Sequence, residues 1–307
     1  MGEAELRRVG IIGVGLLGSA VASRLLARGF EVQGYDTRPQ QVTALESRGL
    51  RPVASAVEAA DADAVFTILT TPAVVESVWL GAGGLLETAP SSAVLLQMST
   101  IGPTPARRLG EAARVRGRAF LDTPISGTST AVSRGEGTIF AGGETAVVER
   151  CRPLFDAIAG KTVHVGPVGA ASITKLAANL LGGINVIALA EALVLGSRAG
   201  VAPATLLEAL RASPVGSRMM DSRGVQMVEH RFDPHIRLDL FLKDFRLMLE
   251  EGANLGVPLP LTSVAQQLCT AASSAGHGDE DLAAVITTLE SLAGMDGAVS
   301  AHGETPT

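Results

Sequence analysis

Three glycines and one aspartate near the start of the chain are spaced as a nucleotide-binding turn would be. Gly13, Gly15 and Gly18 form a GxGxxG pattern between a short apolar run and an amphipathic stretch, and Asp36 follows the next apolar run. This pattern predicts a tight turn, close approach of backbone to a pyrophosphate, and helix N-H groups aimed at phosphate. Asp36 stands where a carboxylate accepts hydrogen bonds from an adenosine ribose, so the two signals reinforce each other.

The residues around this turn also bear on the choice of cofactor. A carboxylate at Asp36 would repel the 2'-phosphate of NADP and hold the free hydroxyls of NAD, so NAD is favoured. Arg38, two residues later, could instead hold a phosphate, and NADP therefore stays open. The predicted cofactor-binding residues here are Gly13, Gly15, Leu16, Leu17, Gly18, Asp36, Thr37 and Arg38.

A second group of polar residues, Asp122-Thr-Pro-Ile-Ser-Gly-Thr-Ser-Thr, follows a predicted strand. Ligands of open α/β sheets bind beyond the carboxyl ends of strands, and Ser126, Gly127 and Thr128 could offer hydroxyls and backbone N-H groups to a small carboxylate. Taken alone, such a loop is more typical of a solvated turn, so the binding interpretation depends on a neighbouring site.

The third candidate is Lys175 with Asn179, four residues apart and hence on one face of a long apolar helix. The positive charge of a lysine near a helix N-terminus interacts unfavourably with the helix dipole, so we consider two interpretations of Lys175. One interpretation is a snorkelling side chain with its ammonium in water. The other is a proton donor and acceptor oriented by Asn179, since a lysine gives up its proton more readily when it is desolvated.

The elements that would position these groups fall into two patterns. Up to about Gly166, short β-branched runs alternate with amphipathic stretches, which predicts a Rossmann-like, doubly wound parallel sheet. Beyond Pro167 the apolar spacing is helical throughout, which predicts an all-helical domain entered through a long helix over 171–199. The predicted divisions are 1–166 for the dinucleotide-binding domain, 167–293 for the helical domain and 294–307 for a loose tail.

Composition excludes several classes of protein. The net charge is -6, and there are one tryptophan, one tyrosine and eight phenylalanines, so a nucleic-acid partner is not expected. Two distant cysteines without a CxxC pattern or a histidine pair argue against a disulfide framework or a metal site, and favour a reducing cytoplasm. The apolar stretch over 176–196 has nearly the length of a membrane span, but it contains Asn179, Asn185 and Glu191, which favours a buried helix.

Several motifs, in this order, resemble the β-hydroxyacid dehydrogenase family, which includes 3-hydroxyisobutyrate dehydrogenase and tartronate semialdehyde reductase. They are GIIGVGLLG from Gly10, MSTIGP from Met98, DTPISG from Asp122, KLAANLL from Lys175 and LDLFLKDFRLMLEEGANLGVPLPLT from Leu238. The resemblance implies a Rossmann domain followed by a helical domain, and hydride transfer between a nicotinamide and the hydroxyl-bearing carbon of a small acid.

The resemblance also implies roles for individual residues. Lys175 matches the family's catalytic lysine and Asn179 its companion, while Ser126 and Gly127 match the substrate-binding Ser-Gly pair. Further cofactor contacts are implied for Leu69, Thr70, Thr71, Thr100 and Lys243. A homodimer or homotetramer, paired through the helical domains, is implied as well.

Two departures from the family pattern leave the substrate open. Thr128 stands where a second glycine is usual, and Gly137 replaces a usual leucine. The alternatives are an NAD-binding sensor or scaffold without chemistry, and an NADPH-dependent imine reductase. Lys175 and Asn179 speak against the sensor, and Lys175 and Asp36 speak against the imine reductase.

Overall fold

The computed structural model describes residues 6–295 and contains a nine-stranded sheet with helices on both sides. The strands are β1 (Arg8–Ile12), β2 (Glu31–Tyr35), β3 (Arg51–Pro52), β4 (Ala64–Thr67), β5 (Val94–Gln97), β6 (Ala119–Asp122), β7 (Ile125–Ser126), β8 (Thr138–Gly142) and β9 (Lys161–Gly166). Along the sheet the order is β3-β2-β1-β4-β5-β6-β8-β7, with β9 paired to β8. The order reverses between β1 and β4, where ligands of doubly wound sheets bind.

The α-helices up to α9 connect the strands of the sheet, and those from α10 onward follow one another along the chain. They are α1 (Leu16–Ala27), α2 (Pro39–Thr43), α3 (Ala56–Ala60), α4 (Pro72–Leu80), α5 (Leu85–Thr88), α6 (Pro103–Val115), α7 (Ser129–Ser133), α8 (Thr145–Arg150), α9 (Arg152–Ile158), α10 (Ala170–Arg198), α11 (Pro203–Ala212), α12 (Arg218–Glu229), α13 (Leu238–Leu255), α14 (Pro260–Ala272) and α15 (Val285–Leu292).

Alternate residues of the central strands enter two separate hydrophobic cores. Phe66 and Leu96 belong to one core, and Val65 and Leu95 belong to the other. Each of these four residues is 0% exposed. The sheet is therefore covered on both faces, as the continuously apolar strands predict.

The predicted doubly wound sheet is confirmed, with two corrections to the elements. The sheet is not wholly parallel, because β8 runs antiparallel to β6 and β7. The amphipathic spacing over 146–158 predicts one helix from the sequence, whereas the structure has two, α8 and α9, which meet at Cys151. Pro153 stands in the first turn of α9, where it lacks the N-H that a continuous helix would need.

The chain divides into two compact units, one ending at Ala178 and one beginning at Asn179, so the division falls inside α10. Within residues 6–295, α10 is the one helix long and apolar enough to cross a membrane, and 33% of its most apolar window is buried. Between residues 179 and 295 the structure has helices and no strand. Of the predicted tail, all but Gly294 and Met295 lies outside the described residues.

A buried ion pair organises the second unit. Arg223 Nε of α12 contacts Asp281 Oδ1 at 3.0 Å, and these side chains are 5% and 0% exposed. Asp281 Oδ2 also accepts hydrogen bonds from the backbone N-H groups of His235 and Ile236. One carboxylate thus fixes the segment that leads into α13.

Candidate active site

The glycine turn after β1 is built so that two of its glycines have no room for a side chain. Gly13 has a φ of +95°, and its N-H donates to the carbonyl oxygen of Tyr35 at 2.9 Å. A Cβ at Gly13 would overlap the carbonyl oxygen of Ile68, and a Cβ at Gly18 would overlap that of Gly13. These contacts bring α1 and β4 close to the end of β1, as the motif predicts.

The N-terminus of α1 is open above this turn. Gly15 is the N-cap, and no side chain caps the helix. A Cβ at Gly15 would meet a single atom within 4 Å, Nη2 of Arg38 at 3.7 Å. Leu16 is 66% exposed, and Leu17 is half-buried. An uncapped helix N-terminus with a bare glycine fits a pyrophosphate group.

Asp36 follows β2 and contacts both the glycine turn and the arginine beyond it. Its Oδ2 accepts a hydrogen bond from Val14 N at 2.9 Å, and its Oδ1 accepts one from Arg38 N at 2.9 Å. Arg38 Nε lies 3.5 Å from the same Oδ1, and its side chain is 63% exposed. Thr37 is exposed. The Asp36 carboxylate is an acceptor that fits the ribose hydroxyls of a dinucleotide, and it also holds the turn in place.

The ends of β4 and β5 are tied together by Ser99, which the sequence interpretation did not single out. Ser99 Oγ accepts a hydrogen bond from Leu69 N at 2.8 Å, and Ser99 N donates to Gln97 Oε1 at 2.6 Å. Thr100 follows directly and is half-buried. Ser99 thus fixes the backbone at two predicted cofactor-binding positions, Leu69 and Thr100.

The other two residues of that predicted segment differ from each other. Thr71 Oγ1 accepts a hydrogen bond from Val74 N at 3.3 Å and so caps α4. Thr70 is exposed. The Thr71 hydroxyl therefore has a structural task, as expected of a threonine at a helix N-cap.

The predicted substrate-binding residues extend from the last residue of the short strand β7 to the N-cap of α7. Ser126 is half-buried, and Gly127 is exposed with a φ of +143°. Thr128 Oγ1 accepts a hydrogen bond from Ala131 N at 3.2 Å and caps α7. Helix capping therefore explains the polar side chain at Thr128 without a ligand.

Lys175 lies in the second turn of α10 and is 9% exposed. Lysine is among the residues least often buried, so this side chain is unusual for its type. Ser172, one turn earlier, is tied to Asp122 at the end of β6 by two hydrogen bonds of 2.8 Å.

The second unit joins two predicted residues through a third. Asn179 Nδ2 donates to Asp244 Oδ2 at 2.7 Å, and Lys243 Nζ lies 2.8 Å from Asp244 Oδ1. Asp244 is 4% exposed. Lys243 and Asn179 were predicted from the sequence, whereas Asp244 was not, because its burial on α13 and its contact with Asn179 are visible only in the structure.

Neither cysteine is suited to nucleophilic chemistry. Burial raises the pKa of the Cys151 and Cys269 thiols to about 12. A thiol is reactive as its thiolate, so both cysteines are structural. Over residues 6–295, no group of three histidine, cysteine or acidic side chains is placed to hold a metal ion.

Two family models match successive parts of the chain. Residues 8–166 match the NAD binding domain of 6-phosphogluconate dehydrogenase. Residues 169–289 match the NAD-binding domain of NADP-dependent 3-hydroxyisobutyrate dehydrogenase. Together with the glycine turn and Asp36, these matches define an NAD(P)-dependent oxidoreductase.

Similar proteins agree with this class along nearly the whole chain. The 2-(hydroxymethyl)glutarate dehydrogenase of Eubacterium barkeri is 33% identical over 94% of this chain and 96% of its own length. The L-threonate dehydrogenase of Cupriavidus necator is 34% identical over 91% and 95%. The crystal structure of 3-hydroxyisobutyrate dehydrogenase from Salmonella typhimurium has a TM-score of 0.84 and 32% identity, covering 92% of this chain and 99% of its own.

The chain therefore belongs to the β-hydroxyacid dehydrogenase family, and the predicted resemblance is confirmed. It is an enzyme that oxidises or reduces a small hydroxy acid with NAD or NADP. Imine reductases share the fold, but the one from Pseudomonas sp. is 21% identical with a TM-score of 0.61, which shows the fold alone. The sensor and imine reductase alternatives are not favoured.

Proposed function

We propose that this enzyme transfers a hydride between the nicotinamide of NAD and a short 3-hydroxy acid or its semialdehyde, with Lys175 as general acid and base. The observation that carries the proposal is the burial of Lys175, at 9% exposure, in the helix turn after the one anchored to Asp122. A buried amine can exchange a proton with a substrate hydroxyl, whereas a snorkelling lysine keeps its ammonium in water.

The residues at the glycine turn would hold the dinucleotide. Gly15 and the N-terminus of α1 would take the pyrophosphate, and Asp36 the adenosine ribose. When bound, the nicotinamide supplies the hydride acceptor for oxidation and the hydride donor for reduction. We propose NAD over NADP because a carboxylate at Asp36 would repel the 2'-phosphate of NADP. From the family resemblance, Leu69, Thr70, Thr71, Thr100 and Lys243 are proposed as further cofactor contacts.

The proton and the substrate carboxylate would be handled by this chain's own side chains. In oxidation, neutral Lys175 takes the proton from the substrate hydroxyl, and in reduction its ammonium returns that proton to the carbonyl oxygen. Asn179 would orient the Lys175 side chain, and Ser126 with Gly127 would bind the substrate carboxylate. Correct placement of these groups is the protein's main contribution to rate.

Relatives named for polar hydroxy acids indicate the substrate class. Enzymes named for L-threonate and 2-(hydroxymethyl)glutarate are similar over more than nine tenths of the chain. Both compounds are more polar than hydroxyisobutyrate, which agrees with the run of hydroxyl-bearing residues over 128–130, from the N-cap into the first turn of α7. We therefore propose a polar hydroxy acid as the substrate.

A substrate panel tests this function directly. The enzyme would be assayed for oxidation of L-threonate, 2-(hydroxymethyl)glutarate, 3-hydroxyisobutyrate and glycerate with NAD and NADP, and for reduction of a cyclic imine with NADH and NADPH. We expect turnover of a polar hydroxy acid. Reduction of the imine alone, or turnover of none of these compounds, would overturn the proposal.

The Thr128 variants refine the substrate test. Thr128→Ser keeps the hydroxyl that caps α7 and removes the methyl group, whereas Thr128→Gly removes both. A change in substrate preference with Thr128→Ser would assign the methyl group to the pocket. A change with Thr128→Gly alone would reflect the cap or the hydroxyl.

We also propose a homodimer or homotetramer formed through the helical unit, in the cytoplasm, with domains at 1–166 and 167–293. Leu181 and Leu195 of α10 are 63% and 74% exposed, and Leu292 is 74% exposed. Exposed apolar side chains of this number favour association. Light scattering on the purified protein would give the subunit number, and a monomer at micromolar concentration would contradict this part.

A further inference from the structure

Asp122, the last residue of β6, uses both of its carboxylate oxygens on the start of α10. Oδ2 accepts hydrogen bonds from Gly169 N at 3.2 Å and Ser172 N at 2.8 Å, and Oδ1 accepts one from Ser172 Oγ at 2.8 Å. The side chain is 0% exposed. A buried carboxylate is costly unless it is paired and hydrogen-bonded, so this arrangement requires a compensating benefit.

The charge of Asp122 suits this position. Burial raises the pKa of its carboxyl to about 6, against the opposing effects of the hydrogen bonds from Ser172 and Gly169 and the charge of Arg107 on α6. At neutral pH the group is therefore ionised and acts only as an acceptor, which matches its three donors. A negative charge beside the first turn of a helix is also favourable to the helix dipole.

Asp122 and Ser172 each lie close in sequence to a residue of the proposed active site. Ser172 precedes Lys175 by three residues, so both lie on one face of α10, one turn apart. Asp122 precedes Ser126 by four residues, at the start of the loop proposed to bind the substrate carboxylate. The Asp122 carboxylate therefore connects two elements. One is β6, the strand that leads to Ser126, and the other is the turn of α10 that leads to Lys175.

The packing around this contact leaves the helix little room to slide. A Cβ at Gly169, whose φ is +91°, would lie 2.8 Å from Arg107 Nε and 3.3 Å from the carbonyl oxygen of Pro103. A Cβ at Gly142 would lie 2.9 Å from the carbonyl oxygen of Pro167. The start of α10 is therefore held close to both α6 and β8, and Asp122 provides the polar connection.

We propose that Asp122 is a positioning residue, which sets the height and rotation of Lys175 relative to Ser126 through Ser172. The inference rests on the proposed function, in which Lys175 moves the proton and Ser126 holds the substrate. Asp122 itself contacts neither substrate nor cofactor in this account. Since misplacing a reacting group by about 1 Å can cost on the order of 100-fold in rate, loss of this contact should lower kcat.

Single substitutions measure the effect with a matched control. Ser172→Ala removes one of the three hydrogen bonds, and Asp122→Asn removes the negative charge that all three donors face and leaves one acceptor oxygen in place of two. We expect kcat to fall about 10-fold for Ser172→Ala and about 100-fold for Asp122→Asn, with KM for NAD unchanged. Thr174→Val removes a hydroxyl that bonds Ala170 O in the same turn and should stay within about twofold of wild type.

A double-mutant cycle separates positioning from a general structural effect. In a Lys175→Ala background, Ser172→Ala should change the residual turnover by less than about twofold, because the group that it positions is gone. A full 10-fold loss in that background, or no loss from Ser172→Ala in the wild-type background, would overturn the proposal. Ordinary turnover by Lys175→Ala alone would instead overturn the proposed function. If Asp122→Asn does not fold, the Ser172→Ala cycle decides the question by itself.

Discussion

Asn179 and Asp244 are joined by a 2.7 Å hydrogen bond, with Asn179 Nδ2 as donor and Asp244 Oδ2 as acceptor. Asp244 Oδ1 also lies 2.8 Å from Lys243 Nζ. A single buried carboxylate thus fixes the side chains of two residues that the family resemblance selects independently. A hydrogen bond to an ionised acceptor is stronger than a neutral one, so the orientation of the Asn179 amide is firmly held.

Replacing Asp244 should therefore affect both catalysis and stability. Asp244→Leu removes the charged acceptor for Asn179, and we expect kcat to fall at least about 10-fold and the unfolding free energy to fall by about 1–3 kcal/mol. Steady-state kinetics and urea unfolding measure the two effects. Glu250→Gln, at an exposed position of the same helix, is the control. If Asp244→Leu has the same kcat and unfolding free energy as that control, the contact between Asp244 and Asn179 contributes to neither catalysis nor stability.

The contacts of Asp36 predict how cofactor preference can be changed. Asp36→Asn removes the charge that would repel a 2'-phosphate and the ion pair with Arg38. We expect the preference for NAD over NADP, measured as the ratio of kcat/KM values, to fall at least about 10-fold. Arg38→Ala should leave NAD use intact and weaken NADP use. An unchanged ratio in Asp36→Asn would show that this carboxylate does not select the cofactor.

Gly15 and Gly18 should respond differently to the same substitution. A Cβ at Gly15 makes an ordinary contact at 3.7 Å with Arg38 Nη2, so Gly15→Ala should fold normally and weaken NAD binding by steric contact with the pyrophosphate. A Cβ at Gly18 overlaps the backbone of Gly13, so Gly18→Ala should lower the unfolding free energy by about 1–3 kcal/mol. Thermal unfolding and cofactor titration distinguish the two. Equal loss of stability in both variants would be inconsistent with an open N-terminus of α1.

The pair of His230 and Glu290 predicts a pH-dependent contribution to stability. The hydrogen bond that His230 Nε2 donates to Glu290 Oε2, at 2.9 Å, raises the pKa of His230 above 6.5, against partial desolvation. Because the folded state holds the proton more tightly, this stabilisation is fully present below about pH 6.5 and is lost as pH rises through the raised pKa. Urea unfolding of wild type and His230→Gln at pH 6 and pH 8 measures it. The difference between the two proteins should be smaller at pH 8, and a larger difference there would refute the assignment.

The parts of the fold predicted best are those set by local sequence. The observed bounds of β2, β6, α1 and α11 match the apolar runs and their flanking glycines and prolines. The glycine turn was predictable because its chemistry depends on residues within one strand, turn and helix.

The parts that were missed depend on distant partners. Helix α12 contains a central glycine and the charged Arg223, and both residues interrupt its apolar pattern. Arg223 is nevertheless buried against Asp281, which lies 58 residues away in sequence. Asp122 contacts Ser172 across 50 residues, and Asp244 contacts Asn179 across 65. Local periodicity cannot show which buried carboxylate finds which donor, so these positioning contacts required the structure.

Turnover and cofactor binding in Lys175→Ala show whether Lys175 moves the proton. If Lys175 transfers the proton, turnover of the best hydroxy acid should fall at least about 100-fold, the typical loss for an acid-base group. The dissociation constant for NADH, measured by fluorescence titration, should stay within about threefold of wild type because the glycine turn and Asp36 are intact. Ordinary turnover by Lys175→Ala would show that Lys175 does not transfer the proton.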